Sequence, residues 1–168
     1  MQSELPSAGR TQLERKWAML AHLTALLTVV VGISTGGAAA VIALLVPLGL
    51  YVYFGSRSRY VAFHALQATA FQAVGGIVYV VLAAGTGLVI AGAWVLSGLL
   101  SIVLIGLLLA PVALGLTLVG AVELVTLPIL WLAYTLRGAY LTYMGQDFEY
   151  LWIGALVART LQPAPSSG

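Results

Sequence analysis

Two long stretches without a charged residue constrain the fold more than any other feature of this sequence. No Asp, Glu, Lys or Arg occurs in residues 17–56, and none occurs in residues 60–122. A helix needs about 20 apolar residues to cross a hydrocarbon core about 30 Å thick. The first stretch is therefore long enough for two membrane spans, and residues 60–136 hold two long spans or three ordinary ones.

The composition of the chain agrees with a membrane protein. Only 7% of its 168 residues are charged and 61% are hydrophobic, whereas a soluble domain has about 25% charged residues. The absence of cysteine excludes disulfides and thiolate-ligated metal sites. The net charge of +2 gives no basis for binding nucleic acid. The predicted partners are therefore the lipid bilayer, other membrane proteins and further copies of the chain.

Turn-forming residues divide the chain into a membrane domain and two tails. Residues 1–11 contain Pro6 and Gly9 and are predicted to be a disordered tail, as are residues 161–168 with Pro163 and Pro165. Residues 12–160 form the predicted membrane domain. The predicted spans are residues 17–31, 38–54, 61–84 and 112–136.

Residues 85–111 leave several interpretations open. The triplet Gly85–Gly87 is a break signal, which favours an end of the third span there. Leu88–Ala110 is long enough to form a fifth span, to extend the third, or to dip into the membrane and return. Pro111 is expected to end this segment, because proline interrupts the backbone bonds of a helix.

Basic residues concentrate at the cytoplasmic ends of membrane spans, which predicts an orientation. In this chain they precede the first predicted span and follow the second and the last: Arg10, Arg15, Lys16, Arg57, Arg59, Arg137 and Arg159. Four spans place them all in the cytoplasm, whereas five place the last two outside. The predicted fold is an all-α, polytopic membrane helix bundle with four transmembrane helices, or five as the alternative. Both termini are predicted to be cytoplasmic, with the protein in the plasma membrane.

Ionisable side chains at membrane depth are candidates for a functional site, and three occur here: His22, His64 and Glu123. His22 follows Lys16 by six residues, which places it at a depth of about 9 Å. His64 follows Arg59 by five residues, at about 8 Å. The two histidines are therefore expected to meet, with Gln67 on the same helix as His64.

Glu123 and Gln72 are predicted to be partners deeper in the membrane. Glu123 precedes Arg137 by fourteen residues and Gln72 follows Arg59 by thirteen, so each lies about 20 Å from the charged edge. Thr126 shares the helix face of Glu123. These polar residues either hold the helices together through hydrogen bonds, or they line a relay or translocation path.

Three stretches carry a family resemblance: ERKWAMLAHL from Glu14, RYVAFHALQATAFQ from Arg59, and GQDFEY from Gly145. The pattern resembles a widespread family of small bacterial membrane proteins of unassigned function. That family is similar to the membrane subunit of the chloroplast inner-envelope protein import translocon. The resemblance covers about residues 12–158 and implies four membrane helices. This chain departs from it at Leu151, where relatives have proline, and in a longer block between Gln72 and Arg137.

The sequence contains no motif for catalysis or for a bound cofactor. H-E-x-x-H, G-x-S-x-G and phosphate-loop patterns are absent. Two histidines and one carboxylate are too few for most metal sites. We therefore predict a non-catalytic membrane component that packs with partner subunits, which the small residues at Ala65, Thr69 and Ala73 favour. The alternative, implied by the resemblance, is a transport or protein-translocation channel component.

Overall fold

The computed structural model describes residues 10–35, 37 and 39–161, and all regular structure in these residues is helical. The predicted tails lie outside the described residues, except for Arg10, Thr11 and Leu161. The helices are α1 Gln12–Ser34, α2 Ala40–Ala43, α3 Leu45–Phe54, α4 Arg59–Leu100, α5 Ile105–Tyr143 and α6 Ile153–Thr160, with a short 3₁₀ turn at Ser101–Val103. The all-α class predicted from the sequence is confirmed.

Helices α4 and α5 are unusually long and apolar. They contain 42 and 39 residues, and both satisfy the length and composition of a membrane-crossing helix. At 1.5 Å per residue the path along α4 measures about 63 Å, twice the thickness of a bilayer's hydrocarbon core. Residues 40–54 form a shorter apolar stretch. These helices support a membrane protein, and the count of four spans stays a prediction.

Two predicted ends were wrong: that of the third span, at Gly85–Gly87, and that of the segment Leu88–Ala110, at Pro111. Gly85–Gly87 lies inside the continuous helix α4, and Pro111 lies inside α5. Of the interpretations of Leu88–Ala110, extension of the third span describes the region up to Leu100. The chain turns at Ser101–Leu104 instead, where Leu104 adopts a φ of 64°.

The described helices contribute to two compact units. Unit 1 comprises Met1–Val74 and Leu132–Gly168, and unit 2 comprises Gly75–Trp131. Unit 1 therefore contains α1, α2, α3, α6, the beginning of α4 and the end of α5. Unit 2 contains the remainder of α4 and α5 with the turn between them.

Small side chains allow α1 and α4 to approach closely in unit 1. Ala18 and Ala21 on α1 are fully buried, as is Ala65 on α4. Around them pack Leu50 and Tyr51 of α3. Alanine at such contacts lets helix backbones come near each other, which favours association of helices in lipid. This packing brings the polar side chains of α1 and α4 together.

Unit 2 is a helical hairpin that its own hydrogen bonds close. The Ser97 hydroxyl donates to the Gly106 carbonyl over 2.7 Å, next to the turn. A Cβ atom on Gly106 would collide with the Ser97 carbonyl, so glycine is required for this close approach. The large apolar side chains of the hairpin are mostly exposed, including Leu88, Leu99 and Leu108. Lipid is the medium that covers such a surface without cost.

Candidate functional site

A capping box fixes the beginning of α1. The Thr11 amide donates to the Glu14 carboxylate over 2.9 Å, and the Glu14 amide donates to the Thr11 hydroxyl over 3.2 Å. The Ser58 hydroxyl donates to the same carboxylate over 2.7 Å. The hydrogen bond from Ser58, followed by the one from Thr11, lowers the pKa of Glu14 below its ordinary value of 4.5. Glu14 thus ties α1 to the loop before α4.

Arg10 ties the beginning of the described chain to the segment after α5. Its guanidinium forms an ion pair with Asp147 at 2.6 Å and donates to the Gly145 carbonyl over 3.3 Å. The same group lies 4.3 Å from the ring centre of Tyr60. Gly145 has a φ of 79°, and a Cβ atom there would lie 2.7 Å from the Arg15 guanidinium carbon. Only glycine satisfies both the backbone and the contact.

The segment Gly145–Tyr150 follows the turn at the end of α5, is not helical, and packs on α4. Phe148 and Tyr150 are buried, whereas Asp147 and Glu149 are exposed. The amide group of Gln67 binds this backbone at two points: it donates to the Phe148 carbonyl over 3.1 Å and accepts from the Tyr150 amide over 2.9 Å. Gln67 therefore supplies one donor and one acceptor to a backbone segment that is not part of a helix.

His22, His64, Gln67 and Tyr150 form the centre of unit 1, here called the histidine cluster. His22 Nδ1 lies 2.9 Å from the Tyr150 hydroxyl oxygen, and His22 Nε2 lies 3.2 Å from His64 Nδ1. All four side chains are at least 99% buried. The structure thus brings His22 and His64 together, as their depths predicted.

Hydrogen bonding couples the two histidine rings. A neutral imidazole has one donor and one acceptor nitrogen, so the proton position on His22 determines the one on His64. The last atom in this series of hydrogen bonds is His64 Nε2, a buried nitrogen with no hydrogen-bond partner among the described residues. In the part of the chain that the structure describes, no group of three or more His, Asp or Glu side chains is arranged to hold a metal ion.

Aromatic rings enclose the Tyr150 end of the cluster. The Tyr150 ring stacks on Phe71 with 3.8 Å between centres and 3° between planes. The ring centres of Tyr134 and Phe148 lie 5.4 Å and 5.0 Å from that of Tyr150, in T-shaped arrangements. Burial among these rings raises the pKa of the Tyr150 hydroxyl, so the hydroxyl stays protonated and available as a hydrogen-bond donor or acceptor.

Gln72 belongs to a second polar contact between α1 and α4. Its amide nitrogen donates to the Thr24 hydroxyl over 2.8 Å, and its amide oxygen accepts from the Thr28 hydroxyl over 2.8 Å. Both threonines are on α1, and Gln72 is buried. The side chain therefore links the same two helices that the histidine cluster links.

Glu123 forms the polar centre of unit 2 with Thr86, whose hydroxyl donates to its carboxylate over 3.1 Å. Trp94 follows Thr86 by eight residues in α4, and Trp131 follows Glu123 by eight residues in α5. Because the helices run in opposite directions, the tryptophans lie about 12 Å to either side of the Thr86–Glu123 pair. The Thr86–Glu123 pair thus lies about midway between the two tryptophans along the hairpin.

The predicted pairing of Glu123 with Gln72 was wrong. Gln72 bonds to α1, and Glu123 bonds to Thr86, fourteen residues further along α4. The depth count assumed that Arg59 and Arg137 lie at one level. The Tyr60 hydroxyl instead donates to the carbonyl of Thr142, so the start of α4 is level with a point five residues beyond Arg137.

The predicted path through Gln72, Glu123 and Thr126 stays a prediction, because its residues belong to different units. Gln72 belongs to unit 1, whereas Glu123 and Thr126 belong to unit 2. Thr126 is exposed although it lies three residues after Glu123. Of the six candidates from the sequence, only His22, His64 and Gln67 contribute to one cluster.

Tyr150 belongs to the cluster but is not among the residues predicted from the sequence. Its segment entered the predictions only as one of the three stretches that carry the family resemblance. The order Asp147, Phe148, Glu149, Tyr150 alternates polar and aromatic side chains, which is typical of an extended segment with one buried face. That alternation was the available signal for a buried Tyr150.

Fold and site together define the class: a small helical membrane protein in which a returning C-terminal segment closes a buried polar cluster. The chain belongs to the magnetosome magnetite crystal formation protein family, whose pattern it matches over residues 13–157. No curated protein and no solved structure matches it. The family match supports a small membrane-associated protein, and it gives no support to similarity with the chloroplast translocon subunit.

Proposed function

We propose that this protein is a non-catalytic, integral component of a magnetosome membrane that takes part in forming magnetite crystals. The family match over residues 13–157 carries this proposal, since the family is described by magnetite crystal formation. The long apolar helices α4 and α5 support an attachment within the membrane. The proposed location is thus the membrane of the crystal-forming compartment, rather than the plasma membrane alone.

The protein is proposed to act through contacts in the membrane and not through chemistry on iron. Its polar side chains at membrane depth are engaged with one another: His22 with Tyr150 and His64, and Glu123 with Thr86. Such bonds favour a structural role for these groups. The proposed partners are other membrane proteins or further copies of this chain, which would pack against its apolar helices.

Complementation tests the proposal directly. A magnetite-forming host that lacks its own member of this family receives the wild-type chain, and electron microscopy measures the crystal size distribution. We expect the wild-type chain to enter the magnetosome membrane fraction and to restore the crystal sizes of the parental strain. Normal insertion without any change in the crystals would refute a role in crystal formation.

Two variants, tested in the same assay, distinguish a structural role of the polar side chains from a role in proton transfer or transport. Glu123→Gln keeps a hydrogen-bonding side chain opposite Thr86 but has no ionisable group, so we expect it to restore the crystals as well as the wild type does. Loss of complementation at an unchanged membrane level would instead favour proton transfer or transport. Gln67→Leu, which breaks both bonds to the segment Gly145–Tyr150, is the control for loss of the folded unit.

The orientation of the protein is part of the proposal. An even number of membrane crossings, with basic residues inside, places both termini in the cytoplasm. A reporter fused after Arg159 is expected to behave as cytoplasmic. A signal from the opposite side would overturn the orientation while leaving the role in crystal formation to the complementation assay.

A further inference from the structure

The segment that follows Tyr150 exposes large apolar side chains outside the two long apolar helices. Leu151 is 70% exposed, Trp152 86% and Leu156 63%. In α6, the opposite side packs on the rest of unit 1 through Gly154 and Val157, which are buried. The exposed positions of α6 are Ala155, Leu156, Arg159 and Thr160. Leu156, together with Leu151 and Trp152 just before the helix, therefore forms a small apolar patch beside polar residues.

The backbone at Trp152 adopts a conformation that bulky residues rarely adopt. Its φ and ψ are 62° and −38°, and the Ile153 amide donates to the Leu151 carbonyl over 2.8 Å. This is a γ-turn of the left-handed kind, which is rare and strained. The turn follows the buried Tyr150 directly and leaves Leu151 and Trp152 on the outside. The strained turn thus holds the tryptophan ring at the surface of the chain.

Arg59, at the beginning of α4, hydrogen-bonds to the end of the segment that follows Tyr150. Arg59 is the first residue of α4, a helix long and apolar enough to cross a bilayer. Its guanidinium donates to the Leu161 carbonyl over 3.2 Å, so the end of α6 lies beside the beginning of α4. The exposed Arg159 precedes Leu161 by two residues. α6, with the exposed Leu156 and Arg159, thus ends beside Arg59, at the end of α4 where a membrane-crossing α4 would leave the hydrocarbon.

The charge around this site is positive. Arg57, which is exposed, precedes Arg59 by two residues. Glu149 borders the segment, since its Cβ lies 2.6 Å from where a Cβ on Gly154 would be. The Glu14 carboxylate also lies nearby, because it accepts from Ser58, between Arg57 and Arg59. The three arginines outnumber these two carboxylates. Positive side chains next to exposed tryptophan and leucine are typical of a helix that lies in the headgroup layer of an anionic membrane.

We infer that Leu151, Trp152, Leu156, Arg59 and Arg159, together called the edge surface, bind the headgroup layer of the protein's own membrane and prefer anionic phospholipid. The apolar side chains enter the boundary between headgroups and acyl chains, where tryptophan is favoured. The arginines bind lipid phosphates. The edge surface would thereby anchor the segment that closes the histidine cluster.

A single fluorescent label tests this inference, because the native chain has no cysteine. Leu156→Cys carries an environment-sensitive dye, and Gln146→Cys, also at an exposed position, is the matched control. The full-length protein is reconstituted in vesicles of phosphatidylcholine with or without phosphatidylglycerol. We expect brominated lipids to quench the label at position 156, more strongly in the anionic vesicles, while aqueous iodide quenches the label at position 146.

Arginine variants test the preference for anionic lipid. Arg59→Gln with Arg159→Gln should remove the difference between the two kinds of vesicle, whereas Arg137→Gln, at another exposed arginine, should preserve it. Arg159→Gln alone leaves the Arg59–Leu161 bond intact and should still reduce the difference, which separates lipid binding from unfolding of α6. Circular dichroism checks the folding of each variant.

Three outcomes would overturn the inference. Equal quenching of both labels by iodide would place the edge surface in water. Protection from iodide without quenching by brominated lipid would show that another protein or a second copy covers it. Equal quenching by brominated lipid in neutral and anionic vesicles would remove the headgroup preference. None of these measurements depends on magnetite formation, so they stand apart from the complementation assay.

Discussion

Units 1 and 2 differ in how their polar side chains find hydrogen-bond partners. Unit 1 contains both histidines and joins residues far apart in sequence, such as His22 and Tyr150, through buried side chains. Unit 2 has a single charged residue, Glu123, whose hydrogen bond crosses only a helical hairpin. The first arrangement depends on specific partners, whereas the second depends mainly on continuous apolar helices.

This difference has an energetic consequence. A buried polar group that loses its partner costs about 1–3 kcal/mol, because it cannot bond to water. In lipid, individual hydrogen bonds between helices contribute only about 0.6 kcal/mol on average. We therefore expect substitutions in the histidine cluster to destabilise the protein more than substitutions in the hairpin.

The largest effect is expected for Gln67→Leu. The change leaves the Phe148 carbonyl and the Tyr150 amide without partners, which should cost about 2–5 kcal/mol in the free energy of unfolding. Thermal melting in detergent measures the loss, and limited proteolysis should cut the segment Gly145–Tyr150 sooner. Gln146→Leu, at an exposed glutamine, is the control, and an equal shift in both variants would contradict the role of Gln67.

Tyr150→Phe is expected to have an intermediate effect. The phenyl ring keeps its stacking on Phe71, but His22 Nδ1 loses the hydroxyl partner. The loss should be about 1–2 kcal/mol. Tyr140→Phe, at an exposed tyrosine, should leave the melting temperature unchanged. If Tyr150→Phe melts like the wild type, the bond to His22 contributes nothing to stability.

A smaller effect is expected in unit 2, from Glu123→Leu and Thr86→Val. Each change removes the same hydrogen bond, and the double variant should be no less stable than the less stable single variant. We expect a coupling of about 0.6 kcal/mol in a double-mutant cycle measured by thermal melting. A loss as large as that of Gln67→Leu would abolish the contrast between the two units.

The smallest effect is expected for Glu14→Gln at the water-exposed end of α1. Because folding lowers the pKa of Glu14, its stabilising contribution is complete above its ordinary value of 4.5 and is lost as the pH falls through the lowered pKa. The melting temperatures of wild type and variant should therefore differ slightly at neutral pH and converge in acid. A difference that does not depend on pH would assign the effect to something other than this carboxylate.

Depth counting from the sequence located part of the site correctly. His22 and His64 both lie within six residues of a basic residue, so small errors in level did not matter. For Gln72 and Glu123 the count was longer and started from Arg59 and Arg137, which lie at different levels. A sequence contains no direct record of how far two antiparallel helices are shifted along each other, so this pairing was not predictable.

The ends of the helices were harder to predict than their existence. Gly85–Gly87 would break a helix in water, but in lipid the backbone must keep its internal hydrogen bonds, so glycine is tolerated. The actual turn at Ser101–Leu104 depends on Ser97 and Gly106, which bond across it. These residues are common inside membrane helices, and only the contact between them distinguishes a turn.

The length of the hairpin also determines which membranes accommodate it best. Each arm of unit 2 contains about 26 residues and measures about 39 Å, whereas a typical hydrocarbon core is about 30 Å thick. If both arms cross the membrane along this length, as proposed, the excess length would be relieved by tilting of the helices or by local thickening of the bilayer. Either response would cost less where the bilayer is already thick, so the length of the hairpin would favour the thicker membranes of a cell.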